Sequence, residues 1–400
     1  PAAAPAAAPA AAAAAPAAGH ANAGAGADPS AAAATAKLTV ALAAGLDQLQ
    51  GTLVVINSAA KHSTDSSKLQ FRVVTLSAEM DELRAKLRAR LPPGLDVDVV
   101  DFGPWVSRIE RMNMLGGKSS TRAELFNTLN FAAFYLHEVL AGAGRALYLD
   151  TDVVVLGDLA ALLVGRDLGG QPAGVAKDCS QKLGKYVDLD RLKKKGVPAG
   201  LSLPLHAKKS SCVVNRGVVL MDLGRWAALN VTGVIEALIA AHLSKRTGPL
   251  WRSGVSQPPF LLALAGRYHD LGTEFNVRGL GRGDNDPQEI THYRSAGAWQ
   301  AYFDAFQRKC EFHCCAGCKG WAWTPHIAPL ADTAVILHFN GRLKPSKAGR
   351  RPTSPVQPPP KALSAEARAA REQMPLCSCG PSCLRECAGL WWEHLPPGAE

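Results

Sequence analysis

The chain has 400 residues and a formal net charge of +10 at neutral pH. Hydrophobic residues make up 47% of it, which is enough for a large buried core and excludes disorder of the whole chain. The positive charge favours anionic ligands. The lysines occur in short clusters, however, without a zinc-finger or arginine-rich pattern, so we expect no nucleic-acid partner.

Composition divides the chain into four regions. Residues 1–36 are almost wholly Ala, Pro and Gly, which predicts a flexible linker or stem because nothing large is there to bury. We expect one folded domain over residues 37–347, with a cysteine-rich insertion at 300–323. A proline-rich linker over 348–362 and a cysteine-rich tail over 363–400 follow.

The folded domain opens with segments that alternate between strand and helix patterns. We predict strands at 38–42, 71–76 and 97–101, with helices at 52–61 and 79–91 between them. A longer helix is predicted over 122–141, because leucine and alanine recur there at helical spacing. Strands that alternate with helices form parallel sheets, so the sequence predicts an α/β domain.

The next apolar segment carries two acids, Asp150 and Asp152. It reads as a buried strand that breaks at Asp150 and resumes at Val153. Residues two apart in extended backbone point to the same side, so both carboxylates can face one point. Such a pair suits Mg²⁺ or Mn²⁺ carrying the phosphates of a substrate. A solvated surface turn would also fit so short a motif, but the flanking apolar runs favour a site.

The ten cysteines are unevenly distributed. Two of them, Cys179 and Cys212, lie in the central region. Four fall between Cys310 and Cys318, and four between Cys377 and Cys387. Each of these two clusters fits either zinc ligation or disulfides, and we favour disulfides.

Several further segments, in a fixed order, resemble glycosyltransferase family 8, and most of all its plant galacturonosyltransferase-like branch. They lie between residues 38 and 345 and read LNFAAFYLHEVL, RALYLDTDVVVLGDLAAL, CVVNRGVVLMDLGRW, SQPPFLLALAGRYHDLGTEFNVRGLGRGDND and ILHFNGRLKP. The resemblance implies the A-type glycosyltransferase fold, a single Rossmann-like nucleotide-sugar-binding domain with a mostly parallel central sheet.

The same resemblance implies a retaining hexosyltransferase. Such an enzyme transfers sugar from a UDP-sugar donor to a carbohydrate acceptor with Mn²⁺ as cofactor, Mg²⁺ being the alternative metal. It also implies the Golgi lumen, a type II membrane anchor upstream of Pro1, and a role in cell-wall or pectin-type polysaccharide synthesis.

Three residues correspond to the family's metal ligands: Asp150, Asp152 and His338. Two carboxylates and an imidazole are a reasonable ligand set for Mn²⁺, with positions left for phosphate oxygens. Gly341 and Lys344 match the segment that contacts the donor diphosphate. A glycine there allows close backbone approach, and a lysine neutralises phosphate charge.

Four more residues match positions near the donor. Asn215 and Gly217 correspond to residues beside the sugar, Gln257 precedes a segment that lines the reaction centre, and Asp47 lies in a loop that touches the uracil or ribose. The resemblance thus implies Asn215, Gln257 and Lys344 as catalytic residues. The residues implied to bind the donor and its metal are Asp47, Asp150, Asp152, Gly217, Gly341 and Lys344.

Three positions depart from the family pattern. Ala133 replaces an arginine that contacts the donor, Leu49 an aromatic residue near the uracil, and Ser346 a tryptophan after Lys-Pro. These departures leave open a family member with weakened catalysis that binds a sugar or a partner. A phosphotransfer or hydrolytic metalloenzyme is disfavoured, since the sequence has no phosphate loop, nucleophile elbow or His-Glu-x-x-His pattern.

Two further features indicate the cellular compartment of the protein. Cys179 and Cys212 coincide with cysteines common in the galacturonosyltransferase-like branch, which implies a disulfide in an oxidising lumen. The sequon Asn230-Val231-Thr232 agrees with passage through the secretory pathway.

Overall fold

The computed structural model describes most of the folded domain and the end of the tail. The described residues are 36–112, 127–195, 207–251, 254–278, 334–341, 344–347 and 387–399. The predicted cysteine-rich insertion and proline-rich linker lie outside them, as do Ser364 to Glu372, where the sequence predicts a short helix. Among the described residues, none of the helices combines the length and apolarity that a bilayer crossing requires.

Ten strands and eleven α-helices are present in the described residues. The strands are β1 Leu38–Ala43, β2 Leu69–Thr75, β3 Asp96–Asp101, β4 Arg145–Leu149, β5 Val153–Val155, β6 Ala173–Lys182, β7 Cys212–Asp222, β8 His269–Asp270, β9 Val277–Arg278 and β10 Ile336–His338. The helices are α1 Leu49–Lys61, α2 Met80–Arg90, α3 Gly103–Arg111, α4 Leu136–Val139, α5 Leu159–Leu163, α6 Leu183–Tyr186, α7 Leu189–Lys195, α8 Leu223–Ala228, α9 Val231–Leu243, α10 Gln257–Ala263 and α11 Cys387–Glu393.

Seven strands form the main sheet, in the order β3-β2-β1-β4-β7-β6-β8. All neighbouring pairs are parallel except those of β7, which runs antiparallel to β4 and β6. The predicted α/β class with a mostly parallel sheet is therefore confirmed. Because β7 is reversed, its amino-terminal half lies at the sheet edge where β1, β4 and β6 end.

The sheet separates two apolar cores. Val40 and Leu42 of β1 lie in one core, whereas Ala41 and Ala43 lie in the other. All six residues of β1 are buried, as expected of a central parallel strand covered on both faces. A second, three-stranded sheet has the order β5-β10-β9 and contributes to the first core.

The predicted long helix at 122–141 is wrong over its described part. Thr128–Tyr135 form a 3₁₀ helix, and the α-helix is confined to Leu136–Val139. Asn127 caps the segment by accepting a hydrogen bond from the Leu129 N–H at 2.9 Å. Every residue from Phe131 to Leu136 is buried, so this segment is enclosed on all sides and its neighbours, rather than one helical face, decide its shape.

The disulfide expected between Cys179 and Cys212 is present and joins β6 to the start of β7. At the other end of the chain, Trp391 and Trp392 of α11 are buried in the first core. The Asn57 side chain of α1 donates a hydrogen bond to the His394 carbonyl at 2.8 Å. The last described residues therefore pack against α1.

Candidate metal centre at the end of β4

The turn that carries the two acids is fixed by backbone bonds to distant strands. The Asp150 N–H donates to the Gly217 carbonyl at 2.8 Å, and the Phe339 N–H donates to the Asp152 carbonyl at 2.8 Å. Helix α1 closes the turn from a third side. A Cβ at Gly51 would lie 2.2 Å from the Thr151 carbonyl oxygen, so only glycine allows this approach.

Asp150, Asp152 and His338 converge at this turn. Their potential ligand atoms all lie within 4.8 Å of one another. His338 Nε2 is 3.0 Å from Asp152 Oδ1 and 3.8 Å from Asp150 Oδ2, and the imidazole is only 1% exposed. The structure therefore brings together the three residues predicted as metal ligands, although they are almost 190 positions apart along the chain.

The three side chains fit a divalent cation. Both Asp152 Oδ1 and His338 Nε2 are buried, and neither has a hydrogen-bond partner within the part of the chain that the structure describes. His338 Nδ1 lies 2.9 Å from Asn276 Oδ1, an acceptor, so Nδ1 carries the proton and Nε2 keeps a lone pair for a metal. Two carboxylates and an imidazole suit Mn²⁺ or Mg²⁺.

The second oxygens of both acids face hydrogen-bond donors or cations. Lys344 Nζ donates to Asp152 Oδ2 and, at 2.6 Å, to the Phe339 carbonyl. Burial raises the pKa of Asp152, but the Lys344 ammonium acts in the opposite direction, and that pKa lies well below its ordinary value. The Tyr148 hydroxyl donates to Asp150 Oδ1 at 3.0 Å.

Tyr148 stays protonated in this environment. Burial raises the pKa of its hydroxyl, and the charge of Asp150 raises it further. A hydroxyl that keeps its proton can donate to Asp150 throughout the physiological pH range. Tyr148 therefore orients the Asp150 carboxylate so that Oδ2 faces His338.

Gly217 and Asn215 form one wall of the site. A Cβ at Gly217 would lie 2.2 Å from His338 Cε1 and 2.7 Å from Asp150 Oδ2, so a side chain there would fill the space between the ligands. Asn215 Oδ1 accepts a hydrogen bond from the Gly217 N–H at 2.9 Å. Asn276 Nδ2 lies 3.4 Å from both the carbonyl and Oδ1 of Asn215, which connects this wall to the His338 side of the site.

Gln257, the first residue of α10, is bonded to the backbone of β7. Its Oε1 accepts from the Arg216 N–H at 3.1 Å, and its Nε2 donates to the Val214 carbonyl. Both ends of the amide therefore hold the strand on either side of Asn215. Gln257 thus affects the site indirectly, because it positions the segment that carries Asn215.

The remaining predicted residues lie around the same sheet edge. Asp47 is exposed in the 3₁₀ helix Leu46–Gln48, which follows the carboxyl end of β1, the parallel neighbour of β4. Gly341 is buried shortly after β10. Of the three departures from the family pattern, Ala133 is buried in the 3₁₀ helix, Leu49 is half-buried and Ser346 is exposed.

Three contributors were missed by sequence reasoning: Tyr148, Arg216 and Asn276. Tyr148 precedes Asp150 by two positions, so strand alternation could have placed it beside that acid. Arg216 stands out as a cation within the apolar segment CVVNRGVVLM. Asn276 has no comparable signal, because its contact with His338 depends on the pairing of β9 with β10.

Residues 39–347 match the profile of the family described as glycosyl transferase family 8. The chain belongs to this family. The resemblance seen in the sequence is therefore confirmed, and membership makes the protein a glycosyltransferase. The A-type glycosyltransferase fold expected of it agrees with the α/β sheet of the structure.

Relatives include plant and animal members of family 8. Probable galacturonosyltransferase-like 7 of Arabidopsis thaliana is 29% identical over 273 residues, or 64% of this chain and 69% of the relative. Glycosyltransferase 8 domain-containing protein 1 of Mus musculus is 26% identical over 298 residues, or 68% of this chain and 76% of the relative.

Solved structures of glycosyltransferases also match the chain. The galactosyltransferase LgtC, solved with donor and acceptor sugar analogues, has a TM-score of 0.48 at 18% identity, over 77% of this chain and 89% of that one. Mouse xyloside xylosyltransferase 1 has a TM-score of 0.46 at 16% identity, over 76% and 97% of the two chains.

The position of Gly217 generates a prediction about metal binding. Gly217→Ala should weaken Mn²⁺ binding in the presence of UDP by at least about ten-fold, because the added Cβ must displace His338 or Asp150. Isothermal titration calorimetry would measure this affinity. Gly224→Ala is the matched control, since the nearest atom to its Cβ would be Asp222 Oδ1 at 3.7 Å. Unchanged affinity in Gly217→Ala would show that the ion binds elsewhere.

Proposed function

We propose that the protein is a metal-dependent retaining hexosyltransferase that uses a UDP-sugar donor and a carbohydrate acceptor. One observation carries the proposal: in a family 8 chain, two carboxylates and an imidazole converge at the carboxyl end of a central strand, with Lys344 beside them. Ligand sites of α/β sheets lie at such strand ends. The site thus has both a place for a divalent ion and a cation for a diphosphate.

Each side chain has a separate part in donor binding. Asp150 Oδ2, Asp152 Oδ1 and His338 Nε2 would hold Mn²⁺, with Mg²⁺ as the alternative. The ion, when bound, would supply Lewis-acid stabilisation of the departing diphosphate. Lys344, now on Asp152, lies close enough to turn its ammonium toward a phosphate oxygen. Gly217 leaves space between the metal ligands, and Gly341 would allow the diphosphate to approach the backbone closely. Asp47 lies on the side of β1, where the nucleoside would bind.

The lack of a second acid at the reaction centre favours a front-face reaction for the proposed retention of configuration. Double displacement would need a carboxylate under the anomeric carbon, but the segment Ser256-Gln257-Pro258-Pro259 has only neutral side chains. The acceptor hydroxyl would therefore attack from the face that the UDP leaves, and its proton would pass to the departing diphosphate. Asn215, at the wall beside Asp150, would support the developing positive charge of the sugar through its amide oxygen. Gln257 would act by holding the strand on either side of Asn215.

The cellular setting is proposed on similar grounds. The Cys179–Cys212 disulfide favours an oxidising compartment, and family membership favours the Golgi lumen. Relatives named as probable galacturonosyltransferase-like proteins favour a cell-wall polysaccharide as the acceptor. A sugar- or partner-binding protein with weakened catalysis is the second candidate, because Ala133 offers no cation where the family has an arginine.

A donor screen tests the proposed function. With Mn²⁺ and a panel of UDP-hexoses and UDP-uronates, the wild type should release UDP from at least one donor, and Asp152→Ala should abolish that release because it removes a metal ligand. Asp81→Ala, an acid with a fully exposed side chain on α2, is the control and should keep full activity. UDP binding without release from any donor would favour the second candidate, whereas full Mn²⁺-dependent activity in Asp152→Ala would refute the site.

The proposed mechanism predicts which of two substitutions lowers kcat more. Lys344→Ala should lower kcat by about ten- to a thousand-fold, the range for loss of one preorganised contact to a developing charge. Gln257→Ala should cost less, because that amide acts through the β7 backbone. Steady-state kinetics with the best donor would measure both. A larger loss in Gln257→Ala, or a covalent glycosyl-enzyme detected by intact mass, would contradict front-face substitution.

A further inference from the structure

Arg216 is a buried cation beside the metal site. It has no part in the donor binding proposed above. It lies between Asn215 and Gly217 in the sequence of β7, and the residue is 9% exposed. Nη2 donates a hydrogen bond to Asn130 Oδ1 on the 3₁₀ helix, which fixes the guanidinium. Nη1 is buried, lies 3.7 Å from Asp150 Oδ1, and has no hydrogen-bond partner among the described residues.

The guanidinium keeps its charge in this position. A guanidinium is not deprotonated in folded proteins, and the Asp150 carboxylate lies 3.7 Å from this one. A permanent positive charge therefore sits behind one of the metal ligands. Its effect on Asp150 is electrostatic, since Tyr148 rather than Arg216 makes the hydrogen bond to Oδ1.

In each of the two acids, one carboxylate oxygen faces a cation and the other faces His338. Arg216 faces Asp150 Oδ1 and Lys344 bonds Asp152 Oδ2, whereas Asp150 Oδ2 and Asp152 Oδ1 face His338. The two negative charges are thus matched by two positive charges. The two acids and these two cations together have no net charge.

We propose that Arg216 is a built-in counter-ion that makes the divalent cation and the donor diphosphate bind together. A cation alone would meet carboxylates that are already neutralised, and a diphosphate alone would meet the carboxylates themselves. When both bind, their charges cancel, and Lys344 can leave Asp152 for a phosphate oxygen. The inference rests on the proposed function, because it assumes that the site takes a metal and a nucleotide diphosphate.

Such a counter-ion has an unusual signature. A residue that only positions Asp150 weakens metal binding when it is removed, typically by about 10- to 100-fold. A counter-ion does the opposite for the metal alone, since its removal leaves a net negative charge that attracts a cation. The same removal weakens diphosphate binding, so the two effects have opposite signs.

Binding measurements with Mn²⁺ and UDP test the proposal. Manganese electron paramagnetic resonance would give the affinity for Mn²⁺ alone, and calorimetry would give the affinity for UDP at saturating Mn²⁺. In the wild type, UDP should raise the Mn²⁺ affinity at least about ten-fold, and Mn²⁺ should raise the UDP affinity by the same factor, because coupling is reciprocal. Arg216→Met should bind Mn²⁺ alone about ten-fold more tightly, and UDP about ten-fold more weakly.

Three further variants separate charge from structure. Arg216→Gln removes the charge but can still donate to Asn130, so it should behave like Arg216→Met even if the methionine variant folds poorly. Arg216→Lys should restore wild-type values in part. Tyr148→Phe removes a neutral hydrogen bond to Asp150 and should weaken Mn²⁺ binding instead. Arg108→Met, at a half-buried arginine paired with Glu138 and Glu236, is the control and should leave both affinities unchanged.

The possible results separate a failure of the Arg216 role from a failure of the proposed function. If the charge-neutral Arg216 variants lower the affinities for Mn²⁺ and UDP alike, or change neither affinity, the counter-ion role is overturned. The proposed function still stands in that case. If the wild type binds neither Mn²⁺ nor UDP, the proposed function fails and the inference fails with it. Opposite shifts for Mn²⁺ and UDP in both neutral variants would establish the role.

Discussion

The structure depends on how the turn from Asp150 to Asp152 is anchored. One backbone hydrogen bond joins Asp150 to Gly217 on β7, and another joins Asp152 to Phe339 after β10. These two bonds bring residues far apart in the chain to one point, and Gly51 lets α1 close over Thr151 between them. Rigid elements therefore place the acids, and the loops around them need only admit ligands.

The centre combines close packing with balanced charge. Partly buried carboxylates lose hydration and need partners, and each acid here has a cation or a donor on the side away from His338. That arrangement keeps the facing atoms of the two acids and the imidazole available to one ion. Gly217 leaves the space that such an ion needs.

Sequence reasoning reached the main features of the fold and the ligand set. Alternating apolar segments predicted β1 to β3 and the helices between them to within a few residues. The predicted strand break at Asp150 became the division between β4 and β5, which lie in different sheets. His338 could be chosen only through the resemblance to family 8, because a single histidine after a strand has no distinguishing pattern of its own.

The rest depends on contacts that one-dimensional patterns do not contain. The 3₁₀ helix at Thr128–Tyr135 replaced a predicted α-helix because its apolar residues are enclosed on all sides. Asn276 reaches His338 through the β9–β10 pairing, and Gln257 proved to bind the β7 backbone. Arg216 joins the site because β7 lies next to β4. Each of these contacts links residues more than 40 positions apart.

A crystal structure with Mn²⁺ and UDP would show whether Asp150, Asp152 and His338 hold one ion. Anomalous scattering at the manganese absorption edge locates the ion independently of any assumption about the site. We expect one strong peak in contact with Asp150 Oδ2, Asp152 Oδ1 and His338 Nε2, beside the UDP diphosphate. A peak that lies away from these three atoms, or UDP bound with its diphosphate outside the turn, would contradict this expectation.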